Sequence, residues 1–294
     1  MANFIQFFTS GLLVGGLYAL IALGVVIILK ATGIFNFAQG MIMMVGGYVC
    51  WTVMSGLGLP IWVSILITFI IAAVFGFAVE RLLLRPLIGQ PILSAILMTL
   101  ALSYFLNGLV VAVWQGKYQL FPQFIPSQAI KLGGAIFSSQ LIIAFVVAMI
   151  VFGIFTIIFL KTRVGLFMRA TSEDHQLAQA TGIGVKGIFG LTWAIGVVLA
   201  TIGGILLGSI NGLNPAMADV GLKAFPAVLL GGLESIPGAL IGGISIGILE
   251  IMAASYLDPL VGGGIRDVAP FVILLVVLIF KPYGLFGLAK IERV

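Results

Sequence analysis

Apolar side chains run through this chain in continuous blocks, as at 11–29 and 141–160, with no polar residue at every second place. A barrel strand facing lipid would alternate apolar and polar positions. Unbroken runs near 20 residues instead match the length of a helix that crosses a bilayer. Charges and turn formers cut the chain into candidate spans near 10–29, 34–55, 60–79, 92–114, 141–160, 188–209, 237–257 and 267–281. The pattern predicts an all-α, polytopic membrane helix bundle, a single domain over 1–294 with about eight transmembrane spans.

Segment 222–234 is apolar but too short to cross alone. Pro226 and Gly231-Gly232 limit it, Ser235 suits the cap of the next helix, and Pro237 is tolerated in its first turn. Two readings of 222–257 stay open. It is a broken helix at membrane depth, whose helix N-terminus can hold a carboxylate without spending a charged side chain, or a plain interhelical turn at the membrane surface. Glu234 favours the turn, because an anion there would compete for the helix dipole.

Composition agrees with lipid as the main solvent. Hydrophobic residues make up 62% of the chain and charged residues 8%, where a soluble domain carries about 25%. The +5 formal charge does not point to nucleic acid, because Lys and Arg lie singly or in small groups between apolar runs. That spacing marks cytoplasmic loops. Arg81, Arg85, Lys161, Arg163, Arg169 and Lys186 then face the cytoplasm. Residues before the first span carry no charged side chain, which places Met1 outside and the C-terminal Lys281, Lys290, Arg293 and Val294 inside. The stretch 115–140 faces outward, and the N-terminal run reads as a retained first helix, not a signal peptide. Among the 39 glycines, the pairs Gly11/Gly15, Gly204/Gly208, Gly238/Gly242 and Gly243/Gly247 have the spacing that lets helix backbones approach closely in lipid.

Motifs for chemistry are scarce. No phosphate-cradling GxxxxGK[ST] loop is present. Gly182 to Gly187 spells GxGxxG, but it follows a helix-like stretch instead of a strand, so its glycines read as a helix stop and turn. His175 is the only histidine, in a loop, and Cys50 is the only cysteine, inside an apolar run, so neither a metal set nor an intrachain disulfide follows. Ionisable residues inside apolar spans are functional candidates. Glu80 lies at a span end beside Arg81, Glu234 between two short segments, and Glu250 well inside 237–257. Glu250 either lines a polar path or pairs with a backbone donor or a basic residue. A proton- or sodium-driven carrier would show a denser intramembrane set, which points to an external energy source.

Several blocks together resemble LivH-type permeases, the membrane subunits of ABC importers for branched-chain amino acids. They are Gly16-Leu17-Tyr18-Ala19-Leu20, Thr32-Gly33-Ile34-Phe35-Asn36-Phe37-Ala38-Gln39-Gly40, Glu80-Arg81 with Arg85-Pro86-Leu87, and Arg169-Ala170 with Glu173-Asp174 and Gly182-Ile183. Lys223-Ala224-Phe225 through Leu230-Gly231-Gly232 and Ser235-Ile236-Pro237-Gly238 to Glu250 continue the set, and Pro282-Tyr283-Gly284 closes it. The chain departs from that family at Gln39 and Met41, where His and Glu are common, and at Glu234, where Gly is common.

The resemblance implies a permease subunit in a bacterial inner (plasma) membrane, with a second permease subunit, two ABC ATPases and an external solute-binding protein as partners. ATP would be used by the partners, with no cofactor, no metal and no catalytic residue in this chain. It implies a substrate path near Asn36, Gln39, Gly40, Ser235, Pro237 and Glu250. Relatives that move urea, short amides or aromatic acids keep those substrates open. Residues 171–182 read as one short cytoplasmic helix capped by Thr171 and stopped by Gly182. In the family the matching loop is the coupling helix that docks on the ATPase, which assigns Arg169, Glu173, Asp174, Ala178 and Gly182 to coupling. A passive channel for small neutral solutes and an intramembrane enzyme are the rival readings.

Overall fold

The computed structural model describes residues 2–132 and 135–287; Met1, Lys290, Arg293 and Val294, on which part of the expected orientation rests, lie outside them. The described chain runs α1 Ala2–Thr32, α2 Gln39–Trp51, α3 Ile61–Val79 and α4 Ile92–Trp114, then β1 Ala129–Leu132 and β2 Ala135–Ser138. It continues α5 Ser139–Lys161, α6 Arg163–Glu173, α7 His175–Ala180, α8 Val185–Asn211, α9 Met217–Leu222, α10 Ala224–Gly231, α11 Ile236–Val261 and α12 Ile265–Phe280. Six helices are long and apolar enough to cross a membrane: α1, α3 with its extension to Leu87, α4, α5, α8 and α11.

Two of these form the centre. In their most apolar stretches α1 is 83% buried and α8 72%, against 17–22% for α3, α4 and α5. Lipid tails are as apolar as Leu, so helices associate in lipid through close packing, not hydrophobic expulsion. Glycine supplies that closeness here. Gly11 and Gly15 of α1 lie on the backbone of α11 at Ile248 and Ile244, where an added Cβ would stand 2.6 and 2.7 Å from the Cα atoms. From the other side, Gly247 abuts Gly15 and Gly243 abuts Ala19. The remaining expected pairs are contact points too: Gly204 on Met43, Gly208 on Leu213, Gly238 on Gly231 and Gly242 on Ala227.

The end carrying Arg81, Arg85, Lys161, Arg163 and Lys186 is the basic end. At the opposite end the segment after α4 ties the helix tops together. Tyr48 donates to Lys117 O at 3.0 Å, Trp51 to Leu120 O at 3.0 Å and Tyr118 to Asn211 O at 2.8 Å. β1 and β2 form an antiparallel hairpin there, with Ile130 opposite Phe137. The Gln6 amide continues the ladder on the edge of β2, donating to Ile136 O and accepting from Ile136 N, both at 2.7 Å. This hairpin is an addition to the expected all-α content.

One expectation about the spans changes. The second span does not start at 34: Gly33, at φ +70, ends α1, and residues 34–38 are non-helical before α2 begins at Gln39. Leu213 pairs with Gln119 at the far end, whereas Leu285 N and Phe286 N donate to Leu230 O and Gly231 O beside the basic end. Between those anchors the chain crosses as α9 and α10, interrupted at Lys223. Pro226 has no N–H for the Leu222 carbonyl, so the helical ladder fails at that point. Neither piece is long enough to cross alone, which is why the hydrophobic pattern offered 222–234 only as a possible piece of a broken helix.

Candidate functional site

The interruption in α9–α10 places Lys223, 7% exposed, inside the bundle. With eight residues in α10 at 1.5 Å each, it stands about 12 Å from the inner end of that leg. Its Nζ uses all three protons. It donates to Glu250 Oε1 at 2.9 Å, pairs with Asp267 Oδ1 at 3.0 Å and donates to Arg266 O at 3.3 Å. Arg266 Nε donates to the same Glu250 oxygen at 3.2 Å. The other oxygen, Oε2, is buried, and Tyr18 of α1 stands against this carboxylate. Four charges therefore cancel where α9, α10, α11 and the start of α12 meet. A lone buried carboxylate would be very costly, and this one is tolerated because it is paired. Of the two roles left open for Glu250, pairing with basic residues is the observed one.

A second discontinuity lies against the first. Asn36 and Gln39 are fully buried. Asn36 Oδ1 accepts from Ala38 N at 3.1 Å, its Nδ2 donates to Gln39 Oε1 at 2.9 Å, and Gln39 Nε2 donates to Gly196 O of α8 at 3.5 Å. Asn36 thereby satisfies an N–H that residues 34–38 expose by leaving the helix, and Gln39 ties Asn36 to α8. Thr99 of α4 completes the task, accepting from Phe37 N at 3.4 Å. Phe35 and Phe37 pack on Phe225 in the first turn of α10, with ring centroids 5.0 and 5.5 Å away. The unwound entry to α2 and the interrupted crossing thus share one aromatic joint.

Gly40 lies in that joint as a packing residue: a Cβ there would meet Ala218 O and Gly221 of α9. Ser235 and Pro237 are elsewhere. Ser235 Oγ accepts from Gly238 N at 3.0 Å, capping α11, and Pro237 sits in its first turn. The turn beside them is held by Lys30, whose Nζ donates to Glu234 O at 3.0 Å. The expected path residues therefore divide into Asn36, Gln39 and Gly40 near the α9–α10 joint, Glu250 on Lys223, and Ser235 with Pro237 at a turn toward the basic end. Sequence reasoning missed Lys223 and Thr99. Lys223 carried a readable signal, a single basic residue between apolar runs.

At the basic end, 171–182 is two helices, not one. Thr171 is buried in the last turns of α6 with its hydroxyl unpartnered. The cap of α7 is Asp174, whose Oδ1 accepts from Gln176 N at 2.7 Å and Leu177 N at 2.9 Å. The short polar side chain of Asp174 competes with the helical ladder, which is why the break falls there. Gly182, at φ +87, stops the pair, and the GxGxxG segment is the turn into α8. Glu173 ends α6, and Arg169 donates to Phe159 O while lying over the Phe159 ring. Ala178 is 4% exposed and faces its own chain, whereas Leu177 is 66% exposed, and Leu166 and Phe167 of α6 are exposed as well. The outward apolar contact is thus Leu177, not Ala178.

Among the described residues no group of three or more His, Cys, Asp or Glu could hold a metal ion. Across residues 7–280 the sequence matches the family described as branched-chain amino acid transport system / permease component. It is 33% identical to the high-affinity branched-chain amino acid transport system permease protein BraD of Pseudomonas aeruginosa, covering 99% of this chain and 98% of that protein. To LivH of Escherichia coli K12 it is 32% identical, again over 99% and 98% of the two chains. A chain of PsaBC from Streptococcus pneumoniae in complex with Fab has a similar fold, with TM-score 0.50 and 13% identity over 96% of each chain. With a multi-pass helical bundle and two relatives matched nearly end to end, this chain belongs to the family of branched-chain amino acid transport permeases.

Proposed function

We propose that this chain is one of two permease halves of an ABC importer that carries branched-chain amino acids into the cell through the inner membrane. The observation that carries the reading is the crossing interrupted at Lys223. In membranes, irregular backbone persists only where protein or a watery cavity covers it, and transporters use such interruptions to handle substrate. Here the interruption carries a charge-balanced cluster on one side and the aromatic joint of Phe35, Phe37 and Phe225 on the other. A zwitterion with an apolar side chain requires both surfaces. The exposed partners in the cluster, Arg266 and Asp267, present one charge of each sign to the second permease half.

The chain does no covalent chemistry; it alternates between states that open to either side. Two ATPases on the cytoplasmic side supply the energy from ATP, and an external binding protein delivers the substrate. The basic end faces the cytoplasm, where α7 presents Leu177 to an ATPase cleft. Asn36 and Gln39 hold the shape of the joint and Glu250 holds Lys223, so their contribution to passage is to position the wall. Co-expression with candidate ATPase and binding-protein subunits should give a complex whose ATP hydrolysis rises with loaded binding protein. Uptake of labelled leucine should exceed that of urea and of an aromatic acid. Leucine failing while another solute passes would refute the substrate but leave the permease. Passage of small neutral solutes by the chain alone, without ATP, would establish the passive-channel reading instead.

A further inference from the structure

At the basic end, α1, the segment after α3, α4, α7 and α8 border a half-open cavity of about 250 Å³ that the interrupted crossing does not touch. Glu80, 2% exposed, stands in its wall with its carboxylate gripped by Arg85, Nε to Oε1 at 3.1 Å and Nη2 to Oε2 at 2.6 Å. Arg85 Nη2 also donates to Lys186 O at 3.1 Å, which leaves Nη1 as the donor for an incoming group. Trp193 of α8 belongs to the same wall, is fully buried, and has an indole N–H with no hydrogen-bond partner. A buried donor without an acceptor is rare enough in native structures to require a reason. Ile34 and Leu84 make much of the remaining surface apolar.

We propose that this cavity binds an aliphatic α-amino acid arriving from the cytoplasmic side, and that its occupancy slows transport. A carboxylate and a guanidinium in one apolar chamber match a zwitterion. The ligand's ammonium takes the second lone pairs of Glu80, and its carboxylate takes Arg85 Nη1 and the Trp193 N–H. An unaccompanied carboxylate would be opposed by Glu80, and a neutral solute would not use the remaining lone pairs and donors of the Glu80–Arg85 pair. The volume lies below the ~300 Å³ at which pockets begin to take drug-sized ligands, which suits a single amino acid. His175, the first residue of α7, lines the cavity and meets Phe189 edge-on at 5.3 Å. A filled cavity therefore fixes α7 against α8 and restrains the segment that moves with the ATPase.

The inference rests on the proposed function for its orientation and substrate class, and the experiment keeps the two apart. The complete transporter is placed in vesicles with ATP inside, and binding-protein-dependent uptake is measured with an empty lumen, with lumenal leucine and with lumenal 4-methylpentanoate, which lacks the ammonium. Lumenal leucine should slow initial uptake at least fivefold, and 4-methylpentanoate should not. Glu80→Gln and Trp193→Phe should each raise the leucine concentration for half-inhibition by about tenfold, the loss expected for one hydrogen bond to a charged group. Equal inhibition by both compounds, or inhibition unchanged in both variants, overturns the site. No uptake with an empty lumen refutes the transport reading alone. Binding of labelled leucine to the purified transporter and its two variants then tests the cavity directly, and binding unaffected by either variant overturns it.

Discussion

Replacing Lys223 by Met removes the cation that fills the interruption between α9 and α10 while keeping an unbranched chain of similar length. Glu250, fully buried, would retain only Arg266, at 3.2 Å, as a basic partner. Breaking a buried pair by removing one member costs about 3–5 kcal/mol, because the survivor stays desolvated. At roughly 2–4 °C per kcal/mol for chains somewhat smaller than this, the melting temperature should fall by about 10 °C. Lys223→Met combined with Glu250→Leu should recover most of that loss. Arg266 and Asp267, with side chains 55% and 80% exposed, then have no buried partner and can turn to solvent or to each other. The assay is thermal unfolding of the purified chain in detergent at fixed protein concentration, for wild type, both single variants and the double variant. A double variant less stable than Lys223→Met would refute the reasoning, since it would mean that the cluster is not held by mutual neutralisation. Uptake by the stable double variant tests function separately. It should remain low, because the charged surface at the interruption has been removed.

The other expectations are simpler to read. Leu177→Asp should weaken association with the ATPase at least tenfold in a pull-down without lowering the melting temperature, whereas Ala178→Trp should lower it, since Ala178 is enclosed by its own chain. Asp174→Ala should remove the two cap bonds of α7 and cost about 1 kcal/mol, reducing substrate-stimulated ATP hydrolysis more mildly than Leu177→Asp. Gly15→Val should prevent accumulation of folded protein, because its Cβ meets the backbone of α11, whereas Gly153→Ala, with open space around it, should be silent by expression and size-exclusion profile. Single cysteines in a Cys50→Ala background should react with an impermeant reagent from outside whole cells at position 117 and not at position 175. Outside labelling at 175 would invert the assigned orientation.

What could be read in the sequence depended on how local the physics is. The long spans were legible because about 20 apolar residues without charge leave a helix across lipid as the only economical solution. The glycine spacings were legible as contacts but not as partners. Nothing in Gly11 and Gly15 says that they meet Gly243 and Gly247 more than 200 residues away, since that pairing follows from the order in which helices pack. Segment 171–182 shows the same division: its helical content came from composition and its break follows from the Asp174 side chain, but the inward turn of Ala178 depended on its packing neighbours.

The interrupted crossing was hardest to read, for a physical reason. Asp219 and Lys223 interrupt the apolar run at 217–223, and only Glu250, 27 residues on, and Asp267 make Lys223 acceptable inside the bundle. Yet the charge pattern already required such a crossing. A chain that starts at the far end and brings Lys281 to the basic end must cross an odd number of times. Six long helices, α2 with its π-helical extension Thr52–Gly56 and α12 make eight. Beside these, the chain passes from Leu213 to Gly231 as α9 and α10, joined at a lysine neutralised by its neighbours.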